Sequence, residues 1–180
     1  MLEPFLLALP ETPGPDIWRE DAPINFKDMT RKLYLVPMSS RIQAGDRGMY
    51  TIDEIKDDPS VIRSARHNTL RNRLRKNTDN DFISIRSNGT DTPCAAAFLC
   101  DGRMNAFESL KIGRIQDYYV IFVSPDEVLF ADREKLRPSN IRRILASIKN
   151  RVVSMYRDDA PILSMEVLEY DTGTDRYTEI

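Results

Sequence analysis

The order of apolar runs and turns between residues 93 and 180 narrows the folds open to this chain more than any other feature. Tyr118 to Val123 is apolar throughout, and Ser124-Pro125-Asp126-Glu127 supplies turn chemistry, with Pro125 presetting φ. Val128-Leu129-Phe130-Ala131 then returns as a partner strand. A run without polar alternation marks an interior strand covered on both faces. Ile141, Ile144, Leu145, Ile148, Val152 and Met155 recur at helical spacing on one arc, with Arg142, Arg143 and Lys149 outside it. This predicts a long amphipathic helix over 139–156. Leu163 to Tyr170 predicts a strand, Asp171-Thr172-Gly173 a turn, and residues 176–180 its partner. Cys94 to Cys100 predicts another strand, turned by Asp101-Gly102 and followed by a short helix over 104–112. Hairpins with interspersed helices imply an α+β fold. Its sheet is mainly antiparallel, packed by one long amphipathic helix and shorter ones.

Residues 1–30 hold five prolines (Pro4, Pro10, Pro13, Pro15 and Pro23), so regular structure is not expected there. Phe5, Leu6, Leu7, Leu9, Ile17, Trp18 and Phe26 are nevertheless too apolar for a solvated tail. The expectation is an apolar arm over 1–30 beside a single domain over 31–180, packed on that domain or docked on a partner or a second copy. Lys32 to Val36 predicts a strand. Thr51 with Glu54 fits a capping box that starts a short helix over 52–56. Asp58 caps a further helix whose first residue is Pro59 and which runs to about Lys76. Phe82 to Arg86 alternates as a half-buried strand, turned by Ser87-Asn88-Gly89.

At 180 residues the chain needs no disulfide or metal to fold. A net charge of −2 creates no whole-molecule field toward nucleic acid or membrane. Cys94 and Cys100, six residues apart on one extended strand, would stand about 20 Å apart, beyond disulfide reach. Two buried free thiols suit a reducing compartment. The Phe5–Leu9 run is too short to span a bilayer and, preceded by Glu3, makes a poor signal peptide. A cytoplasmic location is expected.

One feature invites a binding site. The helix predicted over 59–76 contains Arg63, Arg66, Arg71, Arg73, Arg75 and Lys76 and no acidic residue. Arg63, His67, Arg71 and Arg75 recur every fourth residue and would stack along one ridge. Like charges at that spacing repel by roughly 0.2–0.5 kcal/mol per pair, so an anionic ligand or partner would relieve them. The competing reading is a solvated face, or pairing with acidic loops at Asp117 or Asp126-Glu127. No aromatic residue interleaves with the arginines, which counts against a surface that stacks single-stranded bases.

His67 is the one histidine, with no metal-ligand spacing around it, and reads as a surface residue. Asp46 with Glu54-Ile55-Lys56 superficially resembles a nuclease carboxylate set, but Glu54 is already explained as a cap. There is no Gly-x-Ser-x-Gly, no Gly-rich phosphate loop and no Cys-x-x-Cys. No catalytic residue, metal or cofactor is assigned.

The C-terminal half resembles the YtpQ-like family of uncharacterised bacterial proteins, a domain of unknown function. The resemblance rests on Ala95–Asp101, Asp117–Asp132, the helix from Ile141 and Pro161–Tyr170, about half the chain. Asn68-Thr69-Leu70-Arg71 resembles an earlier family helix, while the N-terminal portion departs from the pattern. The resemblance implies a cytoplasmic α+β protein and brings no functional residues with it. The function expected is a non-catalytic protein-binding module of immunity or inhibitor type. The alternatives are nucleic-acid binding through the basic helix 59–76, and an enzyme of unknown type.

Overall fold

The computed structural model describes residues 4–10, 33–43, 46–50, 52–79, 81–88, 93–155 and 162–180. Most of the arm, and Thr51 with its capping box, lie outside them. Strands β1 (Phe5–Leu9), β2 (Tyr34–Gln43) and β3 (Asp46–Met49) form a three-stranded sheet in that order. Strands β4 (Leu74–Asp79), β5 (Phe82–Ser87), β6 (Tyr118–Ser124), β7 (Glu127–Asp132), β8 (Leu168–Asp171) and β9 (Arg176–Glu179) form a second sheet in the order β4-β5-β7-β6-β8-β9. All pairings are antiparallel. Helices are α1 (Ile52–Asp57), α2 (Ser60–Leu70), α3 (Met104–Leu110) and α4 (Pro138–Met155), with single 3₁₀ turns at Ala95–Phe98 and Ile115–Asp117. The fold is α+β, its larger sheet built from hairpins.

The β6–β7 hairpin is its centre, and both of its faces are buried as its unbroken apolar run requires. Val120, Phe122, Val128 and Phe130 face one core with Ile85, Leu168, Tyr170 and Tyr177. Tyr119, Ile121, Val123, Leu129 and Ala131 face another, closed by Ile141 and Leu145 of α4. The strand expected over Leu163–Tyr170 forms only from Leu168. Leu163 N and Met165 N donate to Val123 O and Phe122 O, but Met165 has φ +52, which breaks the ladder there.

Two expectations fail before β6. Cys94–Cys100 is a buried segment built around the 3₁₀ turn Ala95–Phe98 and not a strand. Three consecutive alanines have little strand preference, and an apolar run alone does not distinguish a buried strand from a buried helical turn. The separation argued for an extended Cys94–Cys100 strand falls with it, although both thiols are free. Phe5–Leu9 is regular structure after all, because Pro4 and Pro10 flank the run and do not interrupt it. Leu6 and Ala8 enter the first core beside Leu33 and Leu35, while Phe5 and Leu7 pack outward against Val36, Met38 and Ile55. This part of the arm belongs to the fold.

β1 is an edge strand, and α2 covers it. Thr69, itself buried, accepts a hydrogen bond from Leu6 N at 2.8 Å and donates to Ala65 O at 2.8 Å. Asn68 Nδ2 donates to Pro4 O at 2.9 Å. The start of α2 is as read from sequence: Asp58 Oδ1 accepts from Ser60 N at 3.1 Å, and Pro59 has helical φ of −61°. Replacing Thr69 by Val keeps the shape but orphans the buried Leu6 amide. Chemical denaturation should show a loss of about 1–3 kcal/mol, with Thr69→Ser recovering most of it.

Candidate functional site

The basic helix is shorter than its sequence suggests. α2 ends at Leu70, Arg71 is its C-cap, and the chain enters β4 at Leu74. Leu70 and Leu74 both pack on the first core at helical spacing, which mimics a continuing helix. Ser87 Oγ donates to Asn72 Oδ1 at 2.9 Å and Asn88 N to Arg73 O at 2.7 Å, tying the junction to β5. The four-residue ridge is therefore three: Arg63, His67 and Arg71 lie on the solvent side of α2, opposite buried Val61, Ala65 and Thr69. Arg71 Nη1 lies 3.5 Å from His67 Nε2. Arg75 leaves the ridge and sits on β4, directly opposite Arg86. Arg66 is paired with Asp101 at 3.0 Å.

β4 is an edge of the larger sheet. Arg75, Lys76, Asn77, Thr78 and Asp79 are all exposed, on both faces of the strand in turn. Among the described residues no strand pairs with the outer side of β4. Across the sheet, Glu127 accepts from Ser84 Oγ at 2.6 Å and pairs with Arg86 at 2.9 Å, relieving the Arg75–Arg86 juxtaposition from one side. Lys76 turns the other way: its Nζ donates to Leu110 O at 3.1 Å and Lys111 O at 3.3 Å, the exposed carbonyls at the end of α3. The sequence signal for this hairpin was available in the Asn80-Asp81 pair between two short runs.

The groups most able to do chemistry are committed to the core. Arg103 is buried. Its Nε and Nη2 bind the two Asp175 carboxylate oxygens at 2.9 and 3.1 Å, and its Nη1 donates to Leu99 O at 3.0 Å. Burial opposes the guanidinium charge, yet the hydrogen bond to Asp175 holds it above its ordinary pKa. The same bond holds the Asp175 carboxyl below the ordinary range. Tyr170 OH donates to Asp175 Oδ1, and Tyr177 OH donates to Phe98 O at 2.6 Å. Burial raises both phenols. It also raises Cys94, and pushes the Cys100 thiol up to about 12. Neither thiol is a thiolate at neutral pH, and His67 on the solvent face of α2 is not placed to activate one. Glu54 is exposed on α1, while the Asp46 side chain lies outside the described residues. Among the described residues no group of three His, Cys, Asp or Glu is placed to hold a metal ion. No described helix is long and apolar enough to cross a membrane.

No family model, curated protein or solved structure matches the chain.

Asp175, with its carboxyl held low by Arg103, adds stability at neutral pH. That contribution is lost as pH falls from about 4, the unfolded value, through the lowered folded one. Thermal melts from pH 7 to pH 2 should show Asp175→Asn less stable than the parent at pH 7. The difference should narrow as the parent loses this contribution in acid.

Proposed function

We propose that the protein is a non-catalytic protein-binding module that acts by occupying a surface, as immunity and inhibitor proteins do, and that its contact site is the β4 edge. The observation that carries this is the uncovered strand Leu74–Asp79, with five consecutive exposed residues at the end of the larger sheet. Such an edge offers a row of backbone donors and acceptors to an extended segment of another chain. Two further observations support the reading. Among the described residues the exposed large hydrophobics are Met104 and Ile180, so an apolar side-chain anchor is scarce and backbone pairing is the mode left. The thiols, the buried arginine and the tyrosines are held in core contacts. The YtpQ-like resemblance agrees, since none of its motifs is catalytic.

A second reading keeps Arg63, His67 and Arg71 as a short cationic face on α2 for a nucleic-acid backbone. These side chains stay exposed and, among the described residues, have no carboxylate within ion-pair distance. Arg75 no longer belongs to it.

The outward backbone groups of β4 belong to Leu74, Lys76 and Thr78. Asn88 N bonds Arg73 O, so in this register the odd-numbered residues exchange their bonds with β5. Thr78→Pro removes an outward donor at a position where an edge strand tolerates proline. Panning a random-peptide phage library against dilute protein should enrich extended, β-prone peptides on the parent and not on Thr78→Pro. Equal enrichment on both, or none on either, would contradict the edge as the contact site.

A further inference from the structure

We propose that the partner for which β4 is built is a second copy of this chain, paired antiparallel through β4 about a two-fold axis at Asn77. This rests on the reading of β4 as the contact site and adds the occupant and the register.

Backbone parity restricts the choices. Outward-facing residues must meet outward-facing residues, and on β4 these are the even-numbered ones, as the Asn88–Arg73 bond fixes. A symmetric pairing of β4 with itself is therefore centred on a residue and not between two. Charge then selects among the centres. Centring on Arg75 opposes two arginines, and centring on Lys76 opposes two lysines. Centring on Thr78 shortens the overlap and leaves Asp79 opposite Asn77. Centring on Asn77 sets Arg75 opposite Asp79 of the second copy, twice, with Asn77 facing Asn77 and Lys76 facing Thr78.

The charges on this face of β4 are thus antisymmetric about Asn77: Arg75 precedes it by two positions and Asp79 follows it by two. Within one chain Arg75 and Asp79 stand about 13 Å apart along the strand and cannot pair. Among the described residues neither has an ion-pair partner. In the proposed dimer they form a non-hydrogen-bonded cross-strand pair, the kind with Cα atoms about 4.5 Å apart and side chains in closest contact. An edge lysine commonly guards against such pairing, but Lys76 is drawn back to the α3 carbonyls. The two six-stranded sheets would join into one.

Sedimentation equilibrium on the full chain, carried to high concentration because the contact is small, tests this. The parent should dimerise. Arg75→Asp and Asp79→Arg should each weaken dimerisation by roughly tenfold to a hundredfold, since two attractive pairs become repulsive. Mixing the two variants should restore the dimer, because each then supplies the charge the other lacks. That rescue also shows that both variants fold. A parent that stays monomeric, or variants that dimerise as well as the parent, would overturn the proposal. A monomeric parent that still selects extended peptides at β4 overturns the second copy alone, whereas loss of both results removes the edge reading as well.

Discussion

The structure depends on keeping an irregular backbone segment satisfied in the middle of its core. Cys94–Cys100 is buried along its whole length, between the two sheets, where no water can reach its amides and carbonyls. Some of the bonds that replace water are local to the turn, and others come from distant parts of the chain. Ala95 N donates to Pro125 O in the β6–β7 turn, Leu99 O accepts from Arg103, and Phe98 O accepts from Tyr177 on β9. Arg103 can be buried because Asp175 neutralises it, and Asp175 reaches it from a left-handed position, φ +55, in the turn before β9. The three alanines let the sheets close around the turn, and Phe98 packs tilted against Phe107 and edge-on against Phe130, with ring centres 5.3 and 5.7 Å away. The terminal hairpin is thereby fastened to the core by polar bonds that apolar packing alone would not specify.

Among the described residues, this arrangement ties up the groups best suited to chemistry. The groups that sequence inspection would enlist for catalysis are the ones that a buried turn needs. Two buried thiols, of which Cys94 Sγ donates to Ile85 O at 3.4 Å, a tyrosine donating to a carbonyl and a charge-neutralised arginine form a framework. Arg75 and Asp79 on β4, at the edge of the larger sheet, and Arg63, His67 and Arg71 on the solvent side of α2, which packs on β1, carry exposed polar groups that these core contacts do not use.

The β6–β7 hairpin, α4 and the β8–β9 hairpin were legible because their signals are local: an unbroken apolar run, a 3.6-residue period, and turn residues at fixed offsets. The Asp58 cap was legible for the same reason. The failures are tertiary. Nothing near Cys94 announces that Tyr177 and Arg103 will satisfy a 3₁₀ turn there. The α2 helix was overrun because Leu70 and Leu74 keep helical spacing while the chain between them turns into a strand. Of the candidate site, Arg63, His67 and Arg71 were placed correctly on one face, and Arg75 was not, since its position follows from strand register with Arg86. Thr69 could not be singled out, because its role is to serve an amide 63 residues away.

The segment Cys94–Cys100 should open only when the whole domain does. Thiol reactivity of Cys94 and Cys100, followed with an aromatic disulfide reagent across a denaturant series below the unfolding transition, tests it most directly. The account predicts that both thiols are silent in the native protein, and that their reaction rates rise with denaturant along the slope of global unfolding. Reaction of either thiol at a rate independent of denaturant would mean that the turn opens locally, and would contradict its place as the element on which the fold is fastened.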